Sequence, residues 1–287
     1  MQPETTLISP IFTVMCYDIR YLTKRKLDYA KRYGEGEEEI SRLQLQLDLV
    51  TPRFYANGFD HPDVPIITNE HPQDFSFFAL GLIPAWAKSP NDAVKIGNQT
   101  INARSETMFE KPAFKEPARN KRCLIILDGF YEHHHRHEMT FPYHIKLKSD
   151  EPFSVAGLWD EWVDRDSGLV KRTISIVTTK ANALLEKIHN SPKLEGGPRM
   201  PVILPRERER EWLMPVQSKT DREFLLTLCQ PYPAYEMEAY TVARLKGKLA
   251  TGNTPRAIEK INYPELVETP DLFDNPITTA NTEGTEK

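Results

Sequence analysis

Five stretches of branched and aromatic residues, each closed off by Pro, Gly, Asp or Ser, dominate the middle of the chain. They are FSFFALGLIPAW from Phe75, CLIILDGFYEHH from Cys123, FPYHIKLK from Phe141, PFSVAGLWDEWV from Pro152 and KRTISIVTT from Lys171. Such composition predicts strands. FPYHIKLK alternates apolar and polar positions, as a strand with one wet face does, whereas CLIIL and ISIV are unbroken apolar runs that need cover on both sides. The sheet is therefore expected to curl or to pack on a second sheet. Residues 22–50 are rich in Leu, Lys, Arg, Glu and Gln but interrupted by Gly34 and Gly36, which predicts two helices parted there. Further helices are expected at residues 182–189, in PREREREWLM from Pro205, where a proline suits the first turn, and at residues 221–228. Strands and helices mix without strict alternation and no repeat is visible, so the fold class is α+β, a single domain over residues 15–266.

Composition narrows this further. At 287 residues and 39% hydrophobic, the chain can bury a substantial core, which excludes global disorder. No run approaches the roughly 18–20 apolar residues of a membrane span, and only Glu4 and Asp18 carry charge before Arg20, so a secretory n-region is missing. Cys16, Cys123 and Cys229 are widely spaced with no CxxC, which argues against a disulfide framework or a thiolate metal site and for a reducing, cytoplasmic setting. The net charge of −4 resides in residues 266–287, where five carboxylates face Lys287 alone. The remainder is neutral, so charge neither supports nor excludes DNA. Residues 267–287 are expected to form an acidic disordered tail. Residues 1–14 lack periodicity and precede a second methionine, Met15; they are expected to be a leader, untranslated or removed.

Candidate chemistry lies in four short segments. Cys16 follows Met15, and a cysteine exposed by loss of an initiator methionine carries a free amine and a thiol on adjacent carbons. The amine condenses with an aldehyde, and the thiol closes on the imine carbon to give a five-membered thiazolidine, which an internal cysteine cannot form. The reference pKa of an α-amine, near ~8, leaves a neutral, nucleophilic fraction at physiological pH. INARSET at residues 101–107 offers the Asn102 amide to orient a polar intermediate and the planar Arg104 fork for phosphate. In DGFYEHHH, Asp128-Gly129 bends the chain and Glu132 follows two aromatics, a setting that suits a proton-shuttling carboxyl. His133, His134, His135 and His137 invite a metal, but alternate residues of a strand face opposite ways, so no metal site is expected. IHNSPKLEGGPRMPVIL at residues 188–204 sets His189 at a helix end, either as a general acid/base or as a histidine facing the helix dipole. Singly, each segment has an ordinary structural meaning: a small buried thiol, a loop Asn beside a salt-bridged Arg, an ion-paired Glu, a helix-capping His.

In fixed order they say more. Met15-Cys16, residues 102–107, Arg122-Cys123 leading to Asp128-Gly129-Phe130-Tyr131-Glu132, and Ile188-His189 leading to Arg199-Met200-Pro201-Val202 together resemble the SRAP family, the SOS response associated peptidases that process abasic sites in single-stranded DNA. The resemblance spans residues 15–265. It implies a curled, mainly antiparallel, barrel-like β core with flanking helices, and a lyase-like enzyme that crosslinks itself to the aldehyde of an abasic site, shielding it during the DNA damage response. By the same resemblance Cys16 is the nucleophile, Asn102 positions its amine, Glu132 shuttles protons as the imine forms and reverses, and His189 protonates the sugar oxygen as the ring opens. Arg104 would hold a flanking phosphate, with Trp86, Lys88, Lys121, Arg122, Arg199, Arg244 and Lys246 as candidates for the remaining DNA surface. No cofactor, metal or membrane partner is implied, and the expected form is a monomer.

This chain departs from the family pattern. Tyr17-Asp18 stand where the family often has Gly-Arg, removing a phosphate contact for which Arg20 is the candidate substitute, and residues 193–198 lengthen the loop after His189. While residues 1–15 remain attached, the Cys16 nitrogen is an amide and cannot form an imine. Translation from Met15 or an autopeptidase (hydrolase) activity on the leader would free it. Two other functions fit the same residues: a noncovalent single-stranded DNA-binding module indifferent to Cys16, and a Cys/His peptidase acting on protein with His189 as base.

Overall fold

The unbroken apolar runs find their cover by closing on themselves. The computed structural model describes residues 17–192 and 196–267; Cys16, the leader, the tail beyond residue 267 and residues 193–195 of the insertion lie outside the described residues. The first half contains β1 (Asp18–Tyr21), α1 (Lys26–Tyr33), α2 (Glu37–Asp48), β2 (Arg53–Asn57), β3 (Asp63–Thr68), β4 (Ser76–Leu80), α3 (Pro90–Gln99), β5 (Asn102–Arg104), α4 (Lys115–Asn120), β6 (Arg122–Leu127) and β7 (Gly129–Arg136). There follow β8 (Met139–Leu147), β9 (Phe153–Val163), β10 (Val170–Lys180), α5 (Ala183–Ile188), β11 (Arg199–Pro201), β12 (Ile203–Leu204), α6 (Glu209–Leu213), α7 (Lys219–Leu228), β13 (Met237–Thr241) and α8 (Pro264–Val267).

Antiparallel pairings run from β4 to β3, β6, β9 and β10, and a parallel pairing of β10 with β4 closes the ring. Past the end of β4, the short β5 continues parallel to β10, with Asn102 opposite Ile176. A second, antiparallel sheet has the order β13-β8-β7-β1-β2. Buried Ile66, Leu80, Ile125, Val155, Ile174 and Phe130 belong to one continuous core shared by barrel and sheet.

CLIILDGFYEHH is two strands rather than one. At Asp128 the chain passes from barrel to second sheet, and its carboxylate is held there by Thr23 N and Oγ1, both at 2.7 Å, and by the Tyr29 hydroxyl at 2.5 Å. FSFFALGLIPAW forms a strand only to Leu80, because Gly81 takes a φ of +105° in a spot where a Cβ would lie 2.6 Å from His61 Nδ1. The two helices parted near Gly34–Gly36 are present. PREREREWLM begins as a 3₁₀ turn at Arg206–Arg208 and becomes α6, which stops before Met214, an extended residue ahead of Pro215.

The described residues after Lys248 pack on the same core. Tyr263 packs its ring at 5.2 Å against Phe141 and donates its hydroxyl to the Val242 carbonyl at 2.8 Å. Among the described residues no helix is long and apolar enough to cross a membrane.

Candidate active site

β7 and α5 build the centre of the site. Strand alternation puts Phe130, Glu132 and His134 on one face of β7, with Tyr131 and His133 on the other. The six-residue α5 starts at Asn182, whose side chain accepts from Leu185 N at 2.9 Å, and ends at His189. Its C-terminal end is tied to β7. The Lys187 carbonyl lies 3.0 Å from His134 Nδ1, and the Asn190 amide accepts from His135 N at 2.7 Å and donates to the His135 carbonyl at 3.0 Å.

These ties set His189 Nε2 3.8 Å from Glu132 Oε2, with both side chains almost wholly buried. His189 Nδ1 faces the Arg199 backbone, 3.0 Å from its carbonyl and 3.3 Å from its N–H, so it donates to the first in one tautomer and accepts from the second in the other. A carboxylate and an imidazole nitrogen so placed form an acid/base pair shielded from solvent. Such a pair can give or take a proton without exchange with bulk water.

Tyr17, the first described residue, leads into this centre. β1 opposes β7, with Asp18 across from Tyr131, which brings the chain in beside Glu132. Tyr17 also walls two clefts. One, of about 590 Å³, is lined by Tyr17, Phe59, Trp86, Asn102, Arg104 and Lys111. The other, of about 360 Å³, is lined by Tyr17, His133, His135, Arg244 and Lys246. Asn102 is buried on β5, and its Oδ1 has no hydrogen-bond partner among the described residues. A buried amide oxygen left unpaired costs free energy, and a donor supplied from outside the described set would relieve it.

The candidate DNA residues fall into two groups. Trp86 is 53% exposed at the mouth of the first cleft, Arg104 lines that cleft, and Arg244 is exposed on the second. Lys121 is half-buried, pairs with Asp160 at 2.8 Å and shares a smaller cleft with Trp86. Lys88 is exposed. Arg122 requires correction: it is fully buried, its guanidinium donating to the carbonyls of Trp212, Ala118, Arg119 and Met214, so it is a structural brace. Arg199 is also buried and grips Glu106 with two bonds of 3.1 and 2.7 Å, and so belongs to the scaffold under the site. Arg20 is no substitute phosphate ligand, because it is buried beside His144 and donates to Thr23 Oγ1 at 2.7 Å.

Burial shapes the remaining titratable groups. It pushes the Asp18 carboxyl up to about 6, against the attraction of Lys246, and pulls His133 down to about 4. No group of three or more His, Cys, Asp and Glu among the described residues could hold a metal ion. Sequence reasoning missed Phe59, which meets Tyr17 edge-on at 4.9 Å, and the ion pair between Asp18 and Lys246. The pair joins positions 228 residues apart and leaves no local signal.

Comparison with known proteins gives a consistent picture. The sequence profile of the SOS response associated peptidase (SRAP) family matches residues 15–248. The abasic site processing protein YoqW of Bacillus subtilis is 46% identical over 189 residues, covering 66% of this chain and 73% of its own. The abasic site processing protein HMCES of Xenopus tropicalis is 31% identical over 152 residues, covering 46% of this chain and 43% of its own. A crystal structure of a Bacteroides thetaiotaomicron protein superposes with a TM-score of 0.72 at 33% identity, covering 86% of this chain and all of that one.

Proposed function

The chain belongs to the SOS response associated peptidase family, and from that premise we propose that it processes abasic sites in single-stranded DNA by bonding covalently to them through Cys16. The observation that carries this proposal is the buried Glu132–His189 pair next to Tyr17, the residue that follows Cys16. Residues 15–266 are the domain we assign to this activity.

With its α-amine free, Cys16 attacks the aldehyde carbon of the ring-open abasic sugar. As the sugar opens, His189 supplies the proton that the ring oxygen takes up, and the anomeric hydroxyl gives its own proton back to the Glu132–His189 pair. The amine nitrogen forms a bond to the carbon, and the carbonyl oxygen leaves as water with protons relayed through Glu132, giving an imine. The thiol sulfur then adds to the imine carbon while its proton passes to nitrogen, closing the thiazolidine. The Oδ1 of Asn102, without a partner among the described residues, is suited to accept a hydrogen bond from the amine. Arg104 and Arg244 supply positive charge on the two clefts, and Trp86 and Phe59 offer faces for flanking bases.

A peptidase in which His189 activates an internal Cys16 thiol would use the same Glu132–His189 pair, so the need for a free Cys16 amine is what separates the two chemistries. The test uses the chain from Met1 and the chain from Met15, each mixed with single-stranded DNA bearing one abasic site. A denaturation-resistant adduct with the Met15 form that disappears in Cys16→Ala is expected. An adduct of equal yield in Cys16→Ala would defeat the proposal.

A further inference from the structure

Lys246 comes from the segment after β13, 229 residues from Tyr17, yet its ammonium is committed to the start of β1. It lies 4.3 Å above the Tyr17 ring, donates to the Tyr17 hydroxyl at 3.0 Å and pairs with Asp18 Oδ2 at 2.8 Å. Three further contacts complete the grip. The Tyr17 carbonyl accepts from Gly58 N at 2.9 Å, Phe59 meets the Tyr17 ring edge-on at 4.9 Å, and the Tyr55 hydroxyl donates to Asp18 Oδ1 at 3.2 Å. The segment bearing Lys246 is itself anchored, since Val242 and Leu245 are buried with Tyr131 in a small core of their own.

Asp18 is 2% exposed, and a carboxylate so buried is a poor choice for stability alone, because desolvation offsets most of the attraction of its partner. What the arrangement does supply is a fixed geometry at the two residues that follow the nucleophile. We propose that Lys246 is a positioning residue for Cys16: by holding Tyr17 and Asp18 it fixes where the Cys16 amine and thiol stand against Glu132. This gives Lys246 a different task from the phosphate contact its place in the second cleft suggests, and the proposal rests on the covalent function of Cys16. A loosely held nucleophile still meets the aldehyde but seldom in the attacking geometry, so the loss appears in the rate at saturating DNA.

The experiment compares wild type, Lys246→Met, Lys246→Arg and the double variant Asp18→Asn/Lys246→Met, all with Cys16 N-terminal, in single-turnover crosslinking across a range of abasic DNA concentrations. Affinity is measured separately on the same strand carrying a tetrahydrofuran abasic analogue, which has no aldehyde. Lys246→Met is expected to lower the saturating rate about 10- to 100-fold with affinity changed less than about 3-fold. Lys246→Arg, which can still pair with Asp18, should recover most of that rate. The double variant removes the unpaired buried charge and so keeps the fold in place, and it should remain slow. Wild-type rates in Lys246→Met, a loss wholly in affinity, or full recovery in the double variant would each overturn the positioning role. Absence of adduct in wild type would instead overturn the covalent function on which it rests.

Discussion

Asn102 carries a buried amide oxygen that no described residue satisfies, so the folded protein gains little from it. Asn102→Ala should therefore leave stability within about 1 kcal/mol of wild type in urea unfolding. The same change should slow crosslinking on the order of 10²-fold, as expected when an orienting group is lost from a preorganised site. A variant that is unstable but fully active would contradict the assignment. Asp18 makes a second prediction through its raised pKa. Its carboxylate is disfavoured by burial, so the folded state binds a proton more tightly than the unfolded chain. The contribution of Asp18 to stability consequently rises as pH falls through about 6 toward 3.8. His133, pulled down to about 4, acts in the opposite sense, losing stability as pH falls below 6.5. The two are separated by difference: between pH 7.5 and 5, wild type should gain on the order of 1 kcal/mol relative to Asp18→Asn. A flat difference would rule out a perturbed Asp18. At this scale the sequence exposes Asn102, Glu132 and His189 only through their order along the chain. The contacts of Arg122 and Arg199 are invisible to it, because a basic residue in a motif reads the same whether it points to water or to carbonyls.

Arg122 acts at the scale of elements. From β6 it reaches the carbonyls at the end of α4 and those of Trp212 and Met214 at the end of α6, which fastens both short helices to the barrel. Arg122→Met leaves those acceptors without their donor and should cost about 3 kcal/mol or more in denaturant unfolding. Affinity of the folded variant for tetrahydrofuran-containing DNA should be unchanged, and a stable variant with weakened DNA binding would return Arg122 to the interface. The long strands β8, β9 and β10 are legible in the sequence because they combine branched residues with clear ends. Strands β1, β2, β3 and β5 are not, being three to six residues long and stabilised by partners far away in the chain. Helix α3 did carry a local signal, since Ser89 stands three residues before Asp92 with Pro90 between, and Ser89 Oγ does accept from Asp92 N at 3.2 Å. The bend read at Asp128-Gly129 is present, while the partners that hold it, Thr23 and Tyr29, lie outside any window around it.

At the scale of the whole molecule, barrel and second sheet share one core, and the site lies where they meet. β5, running along β10 beyond the end of β4, brings Asn102 to the rim of one cleft, while β7 and α5 bring Glu132 and His189 together. Tyr17 borders both clefts, so a strand of DNA lying across them would pass the point at which Cys16 joins the fold. The acidic character of the chain is concentrated in residues 266–287, which leaves the remainder neutral and free to carry cations on this face. The α+β class was legible from mixed periodicities, and the closure of the barrel was not, because it depends on the parallel pairing of β10 with β4 across nearly a hundred residues. In the proposed reaction a free amine and the thiol of Cys16 together capture an aldehyde. Intact mass of the protein with Cys16 N-terminal, incubated with abasic single-stranded DNA without reductant, measures this directly. The expected species weighs the sum of protein and DNA less one water, survives denaturation, and is missing when the amine is acetylated or Cys16 is replaced by Ala. The same adduct from the acetylated protein would contradict the account.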